Sequence, residues 1–242
     1  MQSPSAIELL SAWERGADQS NARQGIELLS LACPDRDPLE LAELPIGRRD
    51  AHLLQLRERL FGESVTALAN CEHCSTCIEL SFKVSEVLCD STEAGEATHA
   101  IDFQARTIRF RLPNSRDLSA LAGCNDAAVA HRRLLKNCLL ADGDNSQIIE
   151  LLPESVIQKV VAKMAAADPQ ANLSFGVTCA ACGHRWQCAF DIVTFLYQEI
   201  NAWARRILHE VHLLASAYHW SERDILSMSP WRRHYYLQAV GR

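Results

Sequence analysis

Two short phrases carry the thiol chemistry of this chain: CEHC at residues 71–74 and CAAC at residues 179–182, an offset of 108 residues. A C-x-x-C turn places two thiolates on one side of a tight loop, which is half of a tetrahedral metal shell. Two such turns complete a four-cysteine site with Zn–S distances of about 2.3 Å. Laid over one another, CEHCSTCIELSFKV and CAACGHRWQCAFDI agree beyond the cysteines, with Phe82 on Phe190 and Val84 on Ile192. Each knuckle is therefore expected to be the other's second half, with Cys71, Cys74, Cys179 and Cys182 around one structural Zn2+. The gap exceeds the usual ribbon spacing of about 15 to 20 residues, so a long insertion is expected between the halves. Four thiolates leave no open position for water or substrate, and such a site holds structure rather than performing catalysis.

Two other thiol chemistries compete. A redox C-x-x-C opens a helix after a strand, whereas both knuckles here lie between strand-like stretches. Cys71, Cys74 and Cys77 follow a ferredoxin-type spacing, but no fourth Cys or Pro follows at the required distance. Cys77 falls on Arg185 and reads as a bystander. His73 and His184 read as exposed loop residues beside the knuckles, with ligation or donation to the sulfurs as the alternative. Cys33, Cys89, Cys124, Cys138 and Cys188 sit mostly in apolar text and read as small core residues. His209 and His212 share one helical face and are assigned to packing or surface. The chain carries no Gly-rich phosphate loop, G-x-S-x-G, HExxH or paired carboxylates at a recognisable spacing, so no enzyme is expected.

The elements that must position the thiols follow from patterning. At 242 residues and 48% hydrophobic the chain is long enough for one large domain or two small ones. No stretch of about 18 apolar residues runs without a charge, and the start, MQSPSAIELLSAWERG, has neither a basic leader nor a small-residue cleavage site. The expected compartment is the cytoplasm, with no membrane. Net charge is −6, which argues against nucleic acid as a partner. From Trp203 to Arg242, however, six Arg face three carboxylates, a local +3 that leaves −9 for the rest. That end suits either a solvated helical face or docking on an acidic partner.

Helices are expected over the first seventy residues. Ser3-Pro4 starts one, another runs from about Asn21 to Leu31, and a third lies beyond Gly47, with Leu53, Leu54, Leu56, Leu60 and Phe61 inward. On that third helix Arg48, Arg49, Arg57 and Arg59 take polar positions, and Gly62 closes it. IELSFKV alternates as a strand with Ile78, Leu80, Phe82 and Val84 on one face. Residues 89–99 read as a polar loop, IDFQARTIRFRLP as a hairpin turning at 104–106, and a helix follows from about Leu118. Helices are expected at 127–141 and 153–167, separated by a DGDNS turn, and short strands at LSFGVT and RWQCAFDI. A long helix from about Val193 to His219 precedes two short ones at 221–227 and 230–240. The fold class is α+β, mainly α: an N-terminal helical region (1–67), a split zinc ribbon (68–90 and 173–192), an inserted hairpin with helices (91–172) and a helical tail (193–242).

The tail text, EVHLLASAYHWSERDILSMSPWRRHYYL, combines aromatics and arginines in a composition favoured at interfaces, here Trp220, Trp231, Arg232, Arg233 and Tyr235. It resembles the ending of the T4-type phage baseplate protein family. LPIGRRDAHLLQLRERLFG, the CxxC pair with CGHRW, and RFRLPNSRDLSAL are similar to larger, zinc-ribbon-bearing relatives in contractile injection systems. The resemblance implies a part in building a contractile-tail baseplate, either within the particle or as an assembly factor absent from the finished one. Its implied partners are other baseplate, hub, spike or tape-measure proteins. The competing reading is a zinc-ribbon DNA-binding regulator with a helix-turn-helix over Ser221 to Val240; the acidic body and short second helix count against it.

Overall fold

The computed structural model describes residues 4–89, 98–103, 106–140 and 152–240. The expected cap Ser3, most of the polar stretch 89–99, the hairpin turn at Gln104 and Ala105, and the DGDNS turn lie outside these residues. Helix α1 (Ala6–Gly16) is instead capped by Ser5, whose hydroxyl accepts the Glu8 N–H while the Glu8 carboxylate accepts from the Ser5 backbone. Helix α2 (Asn21–Ala32), the single turn α3 (Pro38–Leu41) and α4 (Ile46–Phe61) follow. Gly62, at φ 94°, closes α4 in a conformation that glycine adopts without strain.

The first hairpin pairs β1 (Ser64–Asn70) with β2 (Cys77–Lys83) in antiparallel register, Asn70 opposite Cys77. Strand β1 is an addition to the sequence reading, which made the first seventy residues helical. Val84 does not extend the strand either; it opens the short helix α5 (Val84–Val87) and points into the core. In the inserted segment β3 (His99–Phe103) pairs with β4 (Arg106–Phe110), and β4 also pairs with the two-residue strand β5 (Leu139–Leu140). Helices α6 (Ser115–Ala120), α7 (Ala127–Cys138) and α8 (Glu154–Ala167) complete it. A 3-10 turn (Pro169–Asn172) leads into the second hairpin, β6 (Ser174–Thr178) with β7 (Arg185–Ala189). The chain ends in the long helix α9 (Ile192–Tyr218), then α10 (Glu222–Ser227) and α11 (Pro230–Val240).

Three apolar clusters organise these elements. The largest joins Leu28, Leu53, Val65, Val84, Ile192, Leu196 and Ile200, so it fastens both hairpins to α2, α4 and the first half of α9. A second joins Leu10 of α1 to Ile207, Leu214, Ile225 and Leu226 of the tail. A third, around Phe110, Leu135, Cys138, Val160 and Met164, belongs to the inserted segment alone.

A polar seam ties that segment down. Pro45 bridges Asn114, the Ile46 N–H donates to Pro113 O at 3.1 Å, and the Gly47 N–H to Asp168 Oδ2 at 2.9 Å. A Cβ on Gly47 would collide with the Asp168 carboxylate and reach 2.8 Å from the Ala171 nitrogen, so only glycine fits there. Two of the four arginines expected at polar positions of α4 are buried. Arg49 pairs with Asp50 at 2.7 Å, and Arg57 forms a bidentate pair with Glu199 and donates to the carbonyls of Gly62 and Ser64.

Candidate metal centre and tail surface

The two hairpins are built alike to the residue. In the first knuckle the Ser75 N–H donates to Cys71 O at 2.8 Å and the Cys71 N–H to Thr76 O at 2.9 Å. In the second, Gly183 donates to Cys179 O at 2.9 Å and Cys179 to His184 O at 2.8 Å. Ser75 (φ 58°) and Gly183 (φ 72°), which correspond at the offset of 108, both turn through the left-handed region. The correspondence extends outward: strand, knuckle, strand, then a buried aliphatic that opens a helix, Val84 on one side and Ile192 on the other.

Between the hairpins Phe82 meets Phe175 at 4.6 Å and Phe190 at 5.3 Å between ring centroids, which packs the two hairpins together at the ends away from the knuckles. The Sγ atoms of Cys71, Cys74, Cys179 and Cys182 then lie within 4.8 Å of one another. Cys71 and Cys182 are 3.7 Å apart and Cys74 and Cys179 3.6 Å. A tetrahedron of thiolates about 2.3 Å from its centre has edges of about 3.8 Å, so the sulfurs fit a single four-coordinate ion. A disulfide would require about 2.05 Å. Cys71 and Cys179 are buried and Cys74 and Cys182 face solvent, and all ten cysteines are free thiols.

The thiols are electrostatically unequal. The hydroxyl and backbone N–H of Thr76, with the neighbouring thiols, draw Cys74 down to about 6. At Cys182 the His184 N–H pulls the same way, but desolvation and the thiols of Cys74, Cys179 and Cys71 push it up to about 12. Thr76 and His184 occupy equivalent positions, so each knuckle aims one N–H at its second sulfur. Such donors stabilise anionic sulfur in a cluster that an ion would hold fully deprotonated.

Cys77 is exposed and stands outside the four-sulfur group. His73 and His184 stack on each other at 5.9 Å, and His184 stacks on Trp186 at 5.8 Å, forming an aromatic wall beside the site; neither belongs to the sulfur cluster. Of the cysteines read as core residues, Cys138 is fully buried, Cys33, Cys124 and Cys188 are half-buried, and Cys89 is exposed. The polar stretch that begins at Cys89 explains why apolar neighbours on one side alone misplace it.

The tail separates its five expected contact residues. Trp220 stacks on Tyr218 at 4.5 Å and packs against the second cluster. Arg233 is 5% exposed, paired with Glu210 at 3.3 Å and donating to Met228 O at 2.9 Å. Both hold α11 against α9 from within. Trp231, 79% exposed, stacks on Tyr235, 62% exposed, while Arg232 lies over the Tyr236 ring. Of the two adjacent arginines, Arg232 faces solvent and Arg233 points inward. Among the described residues no helix is long and apolar enough to cross a membrane.

These features define a helical scaffold with a four-thiol clasp and an aromatic surface at one end. Over residues 6–196 the chain matches a family model described as T4 bacteriophage base plate protein, and it belongs to that family. The match takes in α4, both knuckles, the inserted segment and the first turn of α9. It ends at residue 196, before the tail text. Neither curated proteins nor solved structures gave a significant match.

Proposed function

We propose that this chain is a non-enzymatic component or assembly factor of a phage-like contractile tail or injection system, braced by structural zinc. The family match over residues 6–196 carries the reading, because the family is one of base plate proteins. Cys71, Cys74, Cys179 and Cys182 would hold the ion. Their four thiolates would fill a tetrahedral shell and leave no position for a substrate. What the residues do around it is mechanical: the clasp fixes both hairpins against α4 and α9, and the seam at Gly47 seats the inserted segment. Partner contact falls to Trp231, Arg232 and Tyr235. An exposed aromatic pair rigidly mounted on a helix loses little side-chain entropy on docking, and aromatic and Arg side chains dominate binding energy at interfaces.

The test is co-purification with hub, spike and tape-measure proteins from cells assembling the particle, using wild type and the Trp231→Ala/Tyr235→Ala double variant. Both side chains are exposed, so the variant should keep its fold and melting temperature while losing at least tenfold of the co-purifying protein. Arg233 is unsuitable for this purpose, since its loss would leave Glu210 without its partner inside the tail. Unchanged recovery by the double variant would reject the tail surface, and no tail component with the wild type would reject the baseplate reading itself.

A further inference from the structure

The inserted segment carries a second surface of different chemistry. Helix α7 turns Leu135 and Cys138 into its own cluster. Positions 129, 132, 133 and 136 form the opposite stripe, at i, i+3, i+4 and i+7. They are Val129, Arg132, Arg133 and Lys136, all exposed, with Val129 at 52%. None of the three cations makes an ion pair with the described residues, and α7 itself contains no carboxylate.

This arrangement works against the helix. Arg132 with Lys136, and Arg133 with Lys136, are like-charge neighbours that repel. Only Lys136 lies in the last turn, where the helix dipole favours a cation. Concentrated positive charge on a chain of net −6, one turn beyond an exposed aliphatic, suits a complementary surface better than solvent alone.

We propose that the outer face of α7 docks an acidic, amphipathic segment of a partner protein. Carboxylates spaced one helical turn apart would meet Arg132, Arg133 and Lys136, and an apolar side chain would cover Val129. Nucleic acid fits less well. Three cations on an acidic protein neutralise few phosphates, and Val129, one turn before them, offers nothing to a sugar-phosphate backbone. The surface is separate from the tail and lies within the family-matched residues, so the two could hold different neighbours.

A photo-cross-linking amino acid in place of Val129, in the full chain and in cells assembling the particle, tests this. Mass spectrometry of the adduct should give a protein peptide with clustered Asp or Glu. Adding Arg132→Glu, Arg133→Glu and Lys136→Glu should lower its yield at least tenfold with the far-ultraviolet circular dichroism unchanged. If the charge reversal disturbs the fold, the Gln versions of the same three substitutions serve, with a smaller but clear loss. The proposal is overturned by an adduct to nucleic acid, by a peptide without acidic residues, by a yield indifferent to the three charges, or by no adduct. The tail variant Trp231→Ala/Tyr235→Ala, measured in parallel, distinguishes failure here from failure of the tail surface.

Discussion

The guanidinium of Arg57 serves four acceptors at once: both Glu199 oxygens at 2.9 and 2.8 Å, Gly62 O at 2.9 Å and Ser64 O at 2.6 Å. It joins the end of α4, the start of β1 and the first half of α9, and so stands behind the first hairpin. Arg57→Ala would leave a partly buried carboxylate and two carbonyls unsatisfied. Breaking such a pair from one side costs about 3 kcal/mol or more, and urea denaturation should show it. A loss below about 1 kcal/mol would mean that water replaces the guanidinium. At this scale the sequence was uneven as a guide. The grouping of Cys71, Cys74, Cys179 and Cys182 declares itself, because two C-x-x-C turns with matching flanks at one offset invite pairing. Arg57 does not, because its partner lies 142 residues away and a helical wheel assigns every Arg to solvent. Arg233 misled in the same way, with the roles of two adjacent arginines decided by which one met Glu210.

Among the elements, α4 does most to set the architecture, since its first turn makes the seam and its last turn meets the hairpin. Beside Arg49 in that first turn, burial raises Asp50 to about 6, opposed by the Arg49 charge and assisted by Asp191 and Asp168; burial raises Asp168 as well. A carboxyl whose folded pKa exceeds its unfolded value of 3.8 binds its proton more tightly when folded. Its contribution to stability is therefore fully present below about pH 4 and is lost as pH rises through about 6, on the order of 1 to 3 kcal/mol. Asp50→Asn should remove this slope. The stability difference between the variant and wild type should thus grow in the variant's favour between pH 4 and 7, and a difference independent of pH would refute the assignment. Comparing the two proteins at each pH cancels the separate effect of acid on the thiol site. The long helices were legible from their 3.6-residue periodicity, and so was the hairpin at Ile101–Phe110. Strand β1 was not, because SVTALAN has only Val65 fully buried and Leu68 turned to solvent. The offset of 108 held the missing signal, since β6 precedes the second knuckle and symmetry demands a strand before the first. Two-residue β5 has no periodicity to detect and exists because Arg109 and Phe110 offer it an edge.

At the scale of the molecule, the four thiols close a loop of about a hundred residues, from the first knuckle to the second, and that closure should govern thermal stability. If an ion acts as a cross-link between the knuckles, loop-closure entropy alone assigns it about 4 to 5 kcal/mol, as for a disulfide closing a loop of that length. For a chain of this size each kcal/mol moves the melting temperature by about 2 to 4 °C. Stripping the ion with a strong chelator should therefore lower Tm by about 10 °C or more, with metal loss verified by elemental analysis. Cys182→Ser should do the same, whereas Cys77→Ser, at an exposed thiol outside the sulfur group, should leave both metal content and Tm unchanged. The loss should be unevenly distributed. The inserted segment has its own cluster around Phe110 and Met164, and the tail has another around Ile207 and Ile225, so neither depends directly on the knuckles. The hairpins, held otherwise by Phe82, Phe175 and Phe190 and by the edge of the main cluster, should open first. Hydrogen exchange after chelation should accordingly accelerate at β1, β2, β6 and β7 before it does at α7, α8 or the second half of α9. Uniform acceleration would show one cooperative unit instead, and an unchanged melting temperature after verified metal removal would deny the clasp any part in holding the baseplate protein together.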